Sequence, residues 1–113
     1  MGTKMENKVL SYLGFAARAR KLVTGYNTCL YMMEKKKIRL LLLAEDLSEN
    51  TKKKMVSAAQ RCGVPCKIYG AGEQLSKITG NVGKGIFGIP DENFAKVISE
   101  GIEQIQSEKK EEF

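Results

Sequence analysis

The run Ile38-Arg39-Leu40-Leu41-Leu42-Leu43-Ala44 constrains this chain more than any other stretch. An element with one wet face spaces its apolar residues, every second position in a strand and every third or fourth in a helix. This run does neither, and it is far short of the roughly 20 apolar residues a membrane span needs. It reads as a strand covered on both faces by helices, the central strand of a small sheet. The rest of the chain has to supply those helical layers.

From Asn7 to Lys21 the residues Val9, Leu13, Ala16 and Ala17 recur at helical spacing and predict a first helix. Leu22-Val23 predicts a brief strand, Thr24-Gly25 a turn, and Cys29, Met32 and Met33 a second helix that runs into Lys35-Lys36-Lys37. After the central strand, Ser48 is a suitable N-cap for a third helix striped by Met55, Ala58, Ala59 and Cys62. Gly63 closes that helix and Pro65 prevents its resumption. Cys66 to Tyr69 predicts a second short strand, Glu73 to Ile78 a short helix ended by Thr79-Gly80, and Lys84 to Ile89 a further strand. Pro90-Asp91 caps a last helix with Phe94, Val97, Ile98, Ile102 and Ile105 on one face. Strands alternating with helices predict an α/β chain, a three-layer α/β/α sandwich around a small, largely parallel or mixed central sheet of about four strands. The 113 residues fit one domain, with a short, solvated acidic tail expected from about residue 107.

The composition weighs against enzymes. The chain has no histidine, so it lacks the commonest general base, the commonest nitrogen ligand for metals and any Ser-His or Cys-His nucleophile. Three cysteines (Cys29, Cys62, Cys66) are an odd number for a disulfide framework. Cys62-Gly63-Val64-Pro65-Cys66 has one residue too many for a Cys-x-x-Cys pair. Glu45-Asp46, at the carboxyl end of the central strand, could hold magnesium, but no partner acid stands beside them and Asp46 can serve in capping the third helix. No catalytic residue, metal or cofactor is therefore expected. With no apolar stretch for a signal peptide or a span, a cytoplasmic protein with reduced thiols and no membrane contact is expected.

Charge is unevenly distributed. Residues 1–87 hold 16 Lys/Arg against 6 Asp/Glu, whereas residues 88–113 hold 3 against 7. The basic part is where a polyanion would be met. Arg18-Ala19-Arg20-Lys21 and Lys35-Lys36-Lys37-Ile38-Arg39 close predicted helices, where cations suit the negative end of the dipole, so a structural role is as open as a nucleic-acid one. Lys52-Lys53-Lys54 lies at the start of a helix, where acids are preferred, which points to a need other than helix stability. Gly25-Tyr26-Asn27-Thr28 is a glycine turn entering a helix, whose free N–H groups can hold a phosphate or base oxygen. Thr24 or Asn27 could equally be a simple N-cap. Gly80-Asn81-Val82-Gly83-Lys84-Gly85 is a basic glycine-rich loop, without the spacing of a nucleotide P-loop, and could equally be a plain turn.

Several of these segments together resemble one family. Leu13-Gly14-Phe15-Ala16-Ala17-Arg18-Ala19-Arg20-Lys21-Leu22-Val23-Thr24-Gly25 is similar to its first helix and glycine turn. Leu40 to Lys54, with Ala44-Glu45-Asp46-Leu47-Ser48, resembles its strand-to-helix signature. Val64-Pro65, Gly80 and Asp91-x-x-Phe94-Ala95 follow in the family's order. The family is that of the kink-turn-binding ribosomal proteins, the L-seven-Ae and L-thirty-e types, and the resemblance covers roughly residues 7–100.

The resemblance implies binding of structured, kink-turn-like RNA without catalysis, and ribosomal RNA, the ribosome or the translation machinery as partners of a monomer. It places RNA at Gly25, Asn27, Thr28 and Tyr31 and at the loop of residues 81–85, with Asn81, Val82, Gly83 and Lys84; Tyr26 beside the turn, Glu45 and Asp46 at the strand end, and the basic Lys36, Lys37, Arg39 and Lys52, which offer attraction for the phosphate backbone, complete the candidate RNA-binding residues. Thr28 stands where the family usually has Glu, and Tyr31 where it usually has Lys. Two other readings are a protein-interaction module on the same fold that has lost tight RNA binding, and an accessory subunit of an RNA-modifying enzyme.

Overall fold

The computed structural model describes residues 4–80 and 85–111. In chain order the elements are α1 (Lys4–Arg18), β1 (Val23–Thr24), α2 (Tyr26–Glu34), β2 (Leu40–Leu43), α3 (Glu49–Cys62), β3 (Cys66–Ile68), α4 (Gly72–Thr79), β4 (Ile86–Ile89) and α5 (Glu92–Glu111). The apolar run becomes β2, with every residue from Leu40 to Ala44 buried.

Side chains alternate along β2, so its leucines divide between two cores. Leu40 and Leu42 pack with Val9, Leu13, Phe87, Ile98 and Ile102, under α1, α4 and α5. Leu41 and Leu43 pack with Cys29, Met33, Met55, Ala59 and Ile86, under α2 and α3. Each fully buried leucine stabilises the fold by about 2 kcal/mol. These are the three layers read from the sequence.

The sheet order is β1-β4-β2-β3. Of the expected alternatives, largely parallel or mixed, the sheet is mixed: only β2 and β3 are parallel, while β4 is antiparallel to both β2 and β1. The register gives the reason. Ile68 ends β3 opposite Leu43, and Ile86 starts β4 opposite the same residue, so α4 and its loop leave the chain at the end of the sheet it had already reached.

Boundaries moved for local reasons. Helix α1 stops at Arg18 rather than Lys21, because Arg20 turns left-handed at φ +59° and the Lys21 N–H closes the end by donating to the Ala16 carbonyl at 2.7 Å. Strand β1 accordingly starts at Val23. Gly63 and Gly80 end α3 and α4 in left-handed conformations. The stretch from 107, expected as a solvated tail, continues α5 as far as Glu111. Its isoleucine face anchors the helix, and i,i+4 pairs such as Gln104 with Glu108 carry it onward.

Candidate nucleic-acid interface

Helix α2 begins abruptly. Val23 and Thr24 pair with Gly88 and Phe87 of β4, and the chain then turns at Gly25 with φ +96°, a conformation that L side chains rarely adopt. The turn is held by its own backbone: the Gly25 N–H donates to the Ile86 carbonyl at 3.0 Å, and the Gly25 carbonyl accepts from the Cys29 N–H at 3.1 Å. A Cβ added to Gly25 would meet no atom within 4 Å, so backbone geometry requires the glycine and the space beside it is open.

Neither Thr24 nor Asn27 caps this helix. Gly25 is the N-cap, no side chain among the described residues bonds into the first turn, and that turn holds no acidic residue. The N–H groups of Tyr26, Asn27 and Thr28 precede the first intrahelical bond and face outward with the helix dipole behind them. Asn27 and Thr28 are exposed. Together with Thr24, Gly25, Tyr26, Leu47, Thr51 and Ile86 they line a depression of about 510 Å³. Leu47, Thr51 and Ile86 were not singled out in the sequence, because only tertiary folding brings the β2–α3 connection and the start of β4 to this turn.

Helices α2 and α3 run side by side in the same direction. Their N-terminal ends meet at the depression through Asn27 and Thr51. Their C-terminal ends meet where Arg61 pairs with Glu34 at 3.5 Å and the Lys36 ammonium donates to the Cys62 carbonyl at 3.2 Å. Two positive helix ends therefore point at one edge of the molecule. Ser48 caps α3 by accepting from the Thr51 N–H at 3.2 Å, as expected. Asp46 does not share in that: its carboxylate accepts from the Gly72 N–H at 2.9 Å and caps α4. Glu45 is exposed at the same end of the sheet, and its N–H donates to the Gly70 carbonyl.

The remaining sequence-derived residues are scattered. Tyr31 is 61% exposed on α2, with the Lys35 ammonium 5.5 Å from the centre of its ring. Lys36, Lys37 and Arg39 lie at the far end of α2 and the start of β2, away from the glycine turn. Lys36 is occupied with the end of α3, and the Arg39 side chain borders Pro65, Glu92 and Lys96. Lys52 is bent back to Glu49 at 3.6 Å, which answers the unfavourable dipole position. Lys53 and Lys54, by contrast, border a second depression between α2 and α3 with Tyr26, Leu30 and Arg61. Asn81, Val82, Gly83 and Lys84 lie outside the described residues.

No group of three or more Cys, Asp or Glu suited to a metal occurs among the described residues. Burial pushes the Cys29 thiol up to about 12 and Cys66 up to about 11, so neither is a thiolate at neutral pH. No described helix is long and apolar enough to cross a membrane.

The RNA-binding protein YlxQ of Enterococcus faecium is 35% identical over 96 residues, 85% of this chain and 92% of that protein. The Bacillus subtilis protein of the same name is 34% identical over 88 residues, 77% of this chain and 88% of its own. A solved structure of a protein of unknown function from Bacillus halodurans superposes with a TM-score of 0.82 at 30% identity, over 85% of this chain and 97% of that one. The Giardia lamblia 15.5 kD RNA binding protein superposes with a TM-score of 0.73 over 95% of this chain and 92% of its own, but at 17% identity it speaks to the fold alone. The family model that describes the ribosomal protein L7Ae/L30e/S12e/Gadd45 family matches residues 7–99, from the first turn of α1 to the middle of α5, and the chain belongs to that family.

Proposed function

We propose that this protein binds structured RNA of the kink-turn kind at the N-terminus of α2, without catalysis. One observation carries the reading: α2 starts on an uncapped glycine, and its free N–H groups face an open depression with no acid in the first turn. Such groups call for an acceptor, and phosphate or base oxygens supply it. Asn27 adds a side-chain amide, which can donate to and accept from a base edge at once. That two relatives are RNA-binding proteins supports the same reading. In this role the protein acts as a cytoplasmic monomer on ribosomal or similarly folded RNA, among the translation machinery.

Filter binding tests it, with a kink-turn RNA and a plain duplex of equal length over a salt series. The kink-turn RNA is expected to bind more tightly, with affinity falling as salt rises and counterions are released. Asn27→Ala is expected to lose roughly 1–3 kcal/mol on the kink-turn RNA. Its melting temperature should not fall, since Gly25, not Asn27, is the cap. Equal binding of both RNAs by the parent removes the kink-turn part of the reading, and no binding to any folded RNA removes all of it.

A further inference from the structure

We propose that a double-helical RNA stem adjoining the recognition turn lies along the groove between α2 and α3, its phosphates held by Lys53, Lys54 and Arg61. This rests on the RNA-binding reading above and extends it to a surface that reading does not use. The groove holds about 400 Å³ and is continuous with the turn, because Tyr26 borders both depressions. Since α2 and α3 are parallel, it leads directly away from the turn toward Glu34 and Arg61. Lys54 and Arg61 are seven residues apart on one helix face, about 10 Å, which matches about three phosphates along one strand.

Charge favours a polyanion here over a protein. The acids of these two helices are Glu34 and Glu49, and each is already engaged, by Arg61 and Lys52. Lys53 and Lys54 are exposed and have no ion-pair partner among the described residues. They stand in the early turns of α3, against the helix dipole, where helix stability does not ask for them. Arg61 is more than half exposed and its contact with Glu34 is long, so the guanidinium can exchange that partner for a phosphate. Lys36 adds a further positive charge at the far end of the groove, where its ammonium reaches the Cys62 carbonyl next to Arg61. The lining also favours a duplex over a single strand. Beyond Tyr26 it is Leu30, Ser57 and small or basic residues, with no ladder of aromatic rings for unpaired bases to stack on.

The test uses the whole protein and two versions of one kink-turn RNA, with a long and a short adjoining stem, in filter binding over a salt series. The variant is Lys53→Gln with Lys54→Gln, both exposed positions, and an unchanged melting temperature shows that it folds. On the long-stem RNA it is expected to bind more weakly, with the salt slope reduced by about two phosphate contacts. On the short-stem RNA it should bind as the parent does, whereas Asn27→Ala should weaken both. Parent binding with no effect of the double variant on either RNA overturns the stem assignment and leaves the groove to a protein partner. Equal loss on both RNAs overturns it too, placing the lysines at the turn itself. Failure of the parent to bind either RNA defeats the underlying RNA reading and this inference with it.

Discussion

Gly25 and Asn27 were legible from the sequence because a glycine before a polar, apolar-striped segment has few uses other than a turn into a helix. That no side chain among the described residues caps α2 was not legible. It depends on which side chain reaches which N–H, and that is set by φ at Gly25 and by the β4 partner, not by local composition. Lysine clusters were ambiguous for the same reason: Lys36 secures the end of α3 and Lys52 answers Glu49, yet their neighbours Lys37 and Lys53 are exposed. Tyr31 shows how such ambiguity can be tested. The Lys35 ammonium over its ring brings a cation to this face of α2. If the free face of the ring stacks on an extruded base, Tyr31→Phe should bind as the parent does and Tyr31→Ala should lose roughly 1–3 kcal/mol of affinity. Titrating the parent and both variants with one kink-turn RNA checks this, and equal affinities for all three remove Tyr31 from the site.

The strand β2 and the helices were readable because burial on both faces and a 3.6-residue stripe leave distinct patterns. Strand direction was not, since a connection's spatial course is invisible in its residues, and β4 entered where β3 had left. Gly88 shows what else the pattern concealed. A Cβ at this position of β4 would meet Ile38 Cδ1 at 2.8 Å, Val23 Cγ2 at 3.0 Å and Cys29 Sγ at 3.2 Å. Its absence lets α2 settle directly on the sheet. Gly88→Ala is therefore expected to destabilise the fold by about 1–3 kcal/mol through overpacking. It should also weaken RNA binding, because Val23 and Cys29, two of the three crowded side chains, flank the glycine turn that leads to Asn27. Urea denaturation and RNA titration of the same sample check both effects, and a stability equal to the parent's would show that α2 accommodates the methyl group.

Across the whole molecule, the sequence separated a basic body from an acidic end, and the structure turns that division into sides. The basic groove lies between α2 and α3, while α5, with more Glu than Lys, belongs to the opposite layer. What no sequence pattern held was the parallel course of α2 and α3, a relation between segments distant in the chain. The bond from the Gly25 N–H to Ile86 has a consequence in time. It fastens the turn to a strand whose four residues are all buried, so the turn is already shaped when an RNA arrives. Little ordering cost then remains at the moment of contact. In stopped-flow mixing, the encounter should give a single phase whose rate rises linearly with RNA concentration and falls with salt. A second phase independent of RNA concentration would mean that the turn rearranges after contact.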